Sequence, residues 1–281
     1  MTAKAGRTFW KTPSALPGFS LSLGFTLAYL SLFVLIPLTA LAIRPWENGW
    51  SGAIEAVVSP RAQAALGLSF VAAAAAALIN AVTGGLLAWV LARYDFPGKR
   101  IADAIIDLPF ALPTAVAGIA LTALYAPNGP IGGLLAPLDI RIAYTPIGVV
   151  IAMVFVGLPF VVRSIQPVLE DLDQEVEAAA ETLGASAWQR ASQVVFPAIL
   201  PALLSGVGLA FARGVGEYGS VIFIAGNMPM KSEIAPLLIV TQLEQFNYAG
   251  AAAIGLAMLV LSFLILLGFN GLQALAARRG A

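Results

Sequence analysis

Six apolar runs, each about as long as a bilayer is thick, constrain this chain more than anything else in its sequence. A helix crossing the hydrocarbon core needs about 20 apolar residues at about 1.5 Å of rise each. Runs at 21–43, 65–92, 101–126, 146–165, 198–224 and 251–272 meet that length. Apolar residues make up 59% of the 281 positions and charged residues only 11%, against roughly 25% charged in soluble domains. Such a chain cannot cover its surface with polar groups, so lipid covers part of it. The expectation is one all-α integral membrane bundle of about six transmembrane helices. It divides into a cytoplasmic N-terminal segment (1–20), a transmembrane domain (21–273) and a cytoplasmic tail (274–281).

The first run is preceded by Lys4, Arg7 and Lys11, and Ala40-Leu41-Ala42 imitates a signal cleavage site. Its length exceeds the roughly 7–15 residues of a signal-peptide core, so it reads as a retained first span. Basic residues set the orientation. With the N-terminus inside, Lys4, Arg7, Lys11, Arg93, Lys99, Arg100, Arg163, Arg190, Arg278 and Arg279 fall on cytoplasmic segments. Only Arg44, Arg61, Arg141 and Lys231 fall outside. Both termini are then cytoplasmic, and so is the polar stretch 172–197.

Net charge is zero, and neither Cys nor His occurs. There is no charge signature of nucleic-acid binding, no thiol nucleophile, no thiolate or imidazole metal ligand and no histidine proton shuttle. No metal site or catalytic residue is expected.

The outer connectors carry less information. The first, 127–145, is rich in Gly and Pro, as in Asn128-Gly129-Pro130 and Gly132-Gly133, and predicts a turn with a short capping helix. The second, 226–247, contains an amphipathic stretch, 234–243, expected to lie at the membrane interface. The run of alanines at 72–77 predicts close helix packing.

The stretch 172–197 is the one long polar interruption between apolar helices. Leu172, Val176, Ala179, Ala180 and Leu183 form a stripe at helical spacing. Asp173, Glu175, Glu177 and Glu181 lie on the flanks and opposite face, and early acids suit the positive helix N-terminus. Gly184 stands where a helix favours a left-handed C′ residue. Ser186 and Gln189 fit a capping box that opens a second helix, and Pro197 marks the entry to the fifth span. An interfacial helix on anionic lipid would present a basic polar face; this one is acidic. A helix–Gly–helix element that docks into a protein groove is the better fit.

On these residues the stretch resembles the EAA loop of ABC-importer permeases. Ala179 and Ala180 fall on the two alanines of that pattern, Gly184 on its glycine, and nine residues later Val194-Val195-Phe196-Pro197 stands for Ile-x-Leu-Pro. The leading glutamate of the pattern falls on Ala178, and Glu177 lies one position earlier. Further stretches, 106–120 (IDLPFALPTAVAGIA), 157–172 (GLPFVVRSIQPVLEDL) and 214–227 (GVGEYGSVIFIAGN), resemble the T-type permease subunit of sulfate/thiosulfate importers.

That resemblance implies a type I ABC-importer permease (MetI-like) architecture in a bacterial inner membrane. It implies a heterodimer with a W-type permease subunit, two cytoplasmic ABC ATPase subunits and an external sulfate/thiosulfate-binding protein. It also implies an ATPase-docking surface at Glu177, Ala179, Ala180, Gly184, Ala185 and Trp188. Trp188 has two readings, an anchor in an apolar pocket of the ATPase or an interfacial aromatic.

The division of labour has independent support in the sequence. No Gly-x4-Gly-Lys-Ser/Thr occurs; the single Gly-Lys pair, Gly98-Lys99, is followed by Arg100. The chain has no loop to cradle ATP phosphates, so it needs no cofactor of its own, and ATP is expected on partner subunits.

Charged residues inside spans are functional hypotheses by default. Arg213 and Glu217 stand at i, i+4 and read either as a structural ion pair or, for Arg213, as a cationic partner for an oxyanion. Asp107, followed by Pro109 and Pro113, lies on a helix that prolines must break or kink; it is expected to satisfy freed backbone donors. Ser220 reads as a pathway hydroxyl or a helix-packing residue. Molybdate or tungstate in place of sulfate is the nearest alternative. A secondary transporter coupled through Asp107 and Glu217 is a second, and a membrane enzyme lacks the side chains it needs.

Overall fold

The computed structural model describes residues 19–280, the side chains at 20, 48, 174 and 274–280 excepted. Lys4, Arg7 and Lys11 lie outside the described residues, as do the side chains of Arg278 and Arg279. Every regular element among the described residues is helical. Five helices are long and apolar enough to cross a membrane: Leu21–Glu47, Pro60–Arg93, Pro146–Asp171, Ala187–Val215 and Tyr248–Gln273. They correspond to the first, second, fourth, fifth and sixth predicted spans.

The third predicted span is broken. It runs as Lys99–Ile106, Leu108–Ala111 and Thr114–Tyr125. Leu112 precedes Pro113 and is extended, at φ −84° and ψ 135°. The proline ring disfavours the helical region for the residue before it, and Pro113 then acts as N-cap of a fresh helix.

Two other prolines are absorbed without a break. Ile36 donates to Ser31 O just before Pro37, and Phe196 donates to Ala191 O just before Pro197. A proline cannot bond the carbonyl four residues back, and one widened turn accommodates it. The second helix of the polar hairpin is therefore continuous with the fifth span. That span, expected to reach residue 224, stops at Val215, and the chain resumes helix only over Val221–Ile224.

The core is the mutual packing of the second, fourth and fifth spans. Small residues bring their backbones together. Ala72, Ala73, Ala76 and Ala77 are buried. A Cβ built on Gly84 would stand 3.0 Å from Val161 Cβ, and one on Gly206 would stand 2.9 Å from Val161 Cα. The first span lies outside this core, and the apolar side chains along it, such as Leu21 and Phe25, are exposed.

The connector 127–145 forms the expected short helix, Pro130–Leu135. The helix Ala235–Glu244 turns its apolar face to the bundle, with Ile234, Ala235 and Leu238 buried against the second and sixth spans. Ala62, Ala65 and Ile254 receive its apolar face. Its unsatisfied first-turn donor, Ala235 N, reaches Ser69 Oγ at 2.8 Å. Glu233, just before it, takes a two-pronged ion pair from Arg61, at 2.8 Å from Nε and 2.7 Å from Nη2.

Candidate functional site

The hairpin is built by local rules. Asp173 caps its first helix, Gln174–Thr182, by accepting from Glu175 N at 2.9 Å. That helix closes with a Schellman pair, Gly184 N to Glu181 O at 2.9 Å and Ala185 N to Ala180 O at 3.0 Å. Gly184 takes φ +88°, a conformation glycine adopts without a Cβ penalty. Ser186 and Gln189 form the full capping box: Ser186 N donates to Gln189 Oε1 at 2.8 Å, and Gln189 N donates to Ser186 Oγ at 3.3 Å. Arg190 bridges the turn to Glu181 at 2.9 Å.

Of the residues expected at the docking surface, Ala179, Gly184 and Trp188 are exposed, and Ala180 and Ala185 are half-buried. Leu183 is 89% exposed and Trp188 is 79% exposed. Two large apolar side chains thus stand uncovered on either side of the Gly184 turn. Glu177 is placed differently. It turns back to the bundle and forms an ion pair with Arg93, the last residue of the second span. The acids of this helix do not all face outward, because Arg93 and Arg190 capture Glu177 and Glu181.

Deeper in the chain, Arg213 and Glu217 pair at 2.5 Å. Glu217 is buried, and its other oxygen accepts from Ser220 N at 2.8 Å and Ser220 Oγ at 2.9 Å. This carboxylate stabilises the break in the fifth span, which opens at Gly216. It binds a backbone N–H that a continuous helix would have used internally, and it holds the turn between Val215 and Val221. The break packs on the start of Thr114–Tyr125. A Cβ on Gly118 would lie 2.4 Å from Ser220 O, and one on Gly219 would lie 2.1 Å from Thr114 Oγ1. Two interrupted segments thus meet, and glycines permit the approach. Ser220 is buried and serves this joint.

Asp107 does not satisfy freed backbone donors. It accepts from Arg163 Nε at 2.9 Å and from Nη2 at 2.6 Å. Arg163 also donates to Asp103 Oδ1 and Gln166 Oε1, each at 2.7 Å, and to Asp103 O at 3.1 Å. A guanidinium on the neighbouring span offers a charged, bidentate partner, which outcompetes neutral backbone donors. The structure brings Arg213, Glu217 and Ser220 together and gives Asp107 a separate partner.

Sequence reasoning counted Arg93, Arg163 and Arg61 only as orientation signals. Their partners lie 84, 56 and 172 positions away, and no local signal finds such pairs. Asn80 was also missed. It is fully buried, donates to Val154 O at 3.1 Å and lies against Gly157, where a Cβ would stand 2.7 Å from its Nδ2. Its side chain joins the second span to the fourth.

Comparison with known proteins bears on the family and the fold. Residues 84–279 match the family described as binding-protein-dependent transport system inner membrane component. The chain is 47% identical over 264 residues to the sulfate transport system permease protein CysT of Escherichia coli (strain K12), covering 94% of this chain and 95% of that one. It is 46% identical over 248 residues to the CysT protein of Synechocystis sp., covering 88% and 87%. Among solved structures, a bacterial ABC transporter involved in alginate import superposes with a TM-score of 0.75 at 15% identity, covering 91% of this chain and 94% of that one. The MetNI methionine ABC transporter superposes with a TM-score of 0.51 at 16% identity, covering 78% and 93%.

Proposed function

We propose, from the premise that this chain belongs to the binding-protein-dependent transport system inner membrane component family, that it is a permease subunit importing sulfate or thiosulfate at the expense of ATP hydrolysed elsewhere. The observation that carries the substrate is the 47% identity to a sulfate permease across 94% of the chain. Two cytoplasmic ATPase subunits bind and hydrolyse ATP, since this sequence has no phosphate-binding loop. An external binding protein delivers the anion, and a W-type permease subunit completes the pathway as a heterodimer. The membrane is the bacterial inner membrane, with both termini and the hairpin in the cytoplasm.

In this reading the exposed hairpin is the docking point. Ala179, Ala180, Gly184 and Ala185 allow close approach, and Leu183 with Trp188 fill an apolar groove on the ATPase. When the ATPases close on ATP they carry the hairpin with them, and the continuous helix Ala187–Val215 passes the motion into the bundle. Arg213 neutralises Glu217, so the pair holds the joint between the two broken segments beside the pathway. Asp107 is held by Arg163, which stabilises the broken third segment against the fourth span.

The test is the anion dependence of ATP hydrolysis. The purified complex, with binding protein, is offered sulfate, thiosulfate, molybdate and tungstate in turn. Stimulation by sulfate and thiosulfate is expected. Stimulation by molybdate or tungstate alone would reassign the substrate.

A further inference from the structure

We infer that the Arg93–Glu177 ion pair is a strut that passes movement of the hairpin to the second span. This rests on the reading of the chain as an ATPase-driven permease. The hairpin reaches the bundle by three routes. Its second helix is continuous with the fifth span, and its first follows the fourth span across a short link at Leu172. The second span has no such continuity. Among the described residues no helix of the bundle packs extensively along Gln174–Thr182, so backbone packing supplies little of the missing link. The ion pair supplies it.

The pair is placed to carry load. Arg93 ends a 34-residue helix that packs on both the fourth and fifth spans, so a displacement at Arg93 reaches the core of the bundle. The two side chains are only 12% and 24% exposed. Arg93 Nε is buried and has no hydrogen-bond partner among the described residues. Besides the Trp89 ring, 5.7 Å below its Cζ, Glu177 is the group that compensates its charge. A desolvated cation with one carboxylate partner holds that partner far more firmly than a solvated surface pair does.

The position of the acid explains a peculiarity of the sequence. One residue of displacement turns a side chain about 100° around a helix. Ala178, where the family pattern has glutamate, is exposed, whereas Glu177 points inward at Arg93. The acid here ties the hairpin to its own chain. Glu177 is a positioning residue.

The experiment uses the full complex in proteoliposomes, with ATPase subunits and binding protein, and reads sulfate transported per ATP hydrolysed. Arg93→Glu, Glu177→Arg, the double exchange and the milder Glu177→Gln are compared with the unaltered complex. Co-purification of the ATPase monitors assembly. Each single charge reversal is expected to keep hydrolysis but lower the transport ratio about tenfold, with the double exchange restoring it to within about twofold. Unchanged ratios in the single variants overturn the strut. So does a double exchange that assembles yet stays as defective as the single variants. Should the reversals fail to assemble, Glu177→Gln decides: a lowered ratio supports the strut and an unaltered one overturns it. An unaltered complex that moves sulfate without ATP overturns the functional reading itself, a result distinct from any failure of the variants.

Discussion

Arg163 grips Asp107 with two hydrogen bonds, 2.9 Å from Nε and 2.6 Å from Nη2, across the interface between the fourth span and the broken third segment. Its remaining donors go to Asp103 and Gln166, so all five N–H groups are engaged. The guanidinium fastens the third segment on both sides of Ile106. Lysine cannot reproduce this fork. Arg163→Lys is expected to cost about 1–2 kcal/mol, because the network is about a third exposed and each charge-assisted bond is discounted by water. Thermal unfolding in detergent checks this, with a fall of about 2–4 °C per kcal/mol.

Glu217 supports a second prediction. Its carboxylate joins Arg213 to the backbone and hydroxyl of Ser220. Glu217→Gln keeps an acceptor for Ser220 but leaves Arg213 with an uncompensated charge. Glu217→Ala loses both. The alanine variant is expected to lose about 3–5 kcal/mol, and the glutamine variant less. The order of melting temperatures tests it, and equal losses would show that the Ser220 bonds contribute nothing.

Glycine packing gives a paired comparison. A Cβ at Gly118 would meet Ser220 O at 2.4 Å, whereas one at Gly268 would meet nothing within 4 Å. Gly118→Ala is expected to cost about 1–3 kcal/mol through overpacking. Gly268→Ala should be neutral or slightly stabilising, since it replaces a poor helix former. The same thermal assay reads both.

Much of this fold is legible in the sequence because its signals are local. Five of the six long apolar runs, the proline pair at 109 and 113, Gly184, and the Ser186–Gln189 spacing rest on signals within a short stretch of chain, and each gives the element the pattern predicts. The end of the fifth span was only partly legible. Gly216 directly after Val215 is a local stop signal, but the turn that follows is held by the Glu217 carboxylate where Gly118 and Gly219 let two distant segments approach. Asp107 was misassigned for the same reason: its partner lies 56 residues away. The amphipathic stretch at 234–243 gave the right helix, but periodicity does not say whether lipid or Ala62 and Ala65 receive the apolar face. Within the candidate site, the shape of the hairpin was local, whereas the direction of Glu177 depended on where the second span ends.

The exposed anchor predicts a separation between stability and docking. Trp188 packs little on its own chain, so Trp188→Ala should alter thermal stability by no more than about 0.5 kcal/mol. Loss of a buried aromatic anchor at an interface typically costs about 2 kcal/mol or more, or about 30-fold in affinity. Binding of the purified ATPase subunit to the permease in nanodiscs measures it. Retention of full affinity would remove Trp188 from the docking surface.

The most direct measurement is uptake of radiolabelled sulfate into vesicles holding the permease pair and supplied with binding protein, with the ATPase subunits and ATP present or withheld. Uptake that requires both ATPase and ATP, and that persists when ion gradients are collapsed, is the predicted result. Uptake driven by an ion gradient without the ATPase would contradict it.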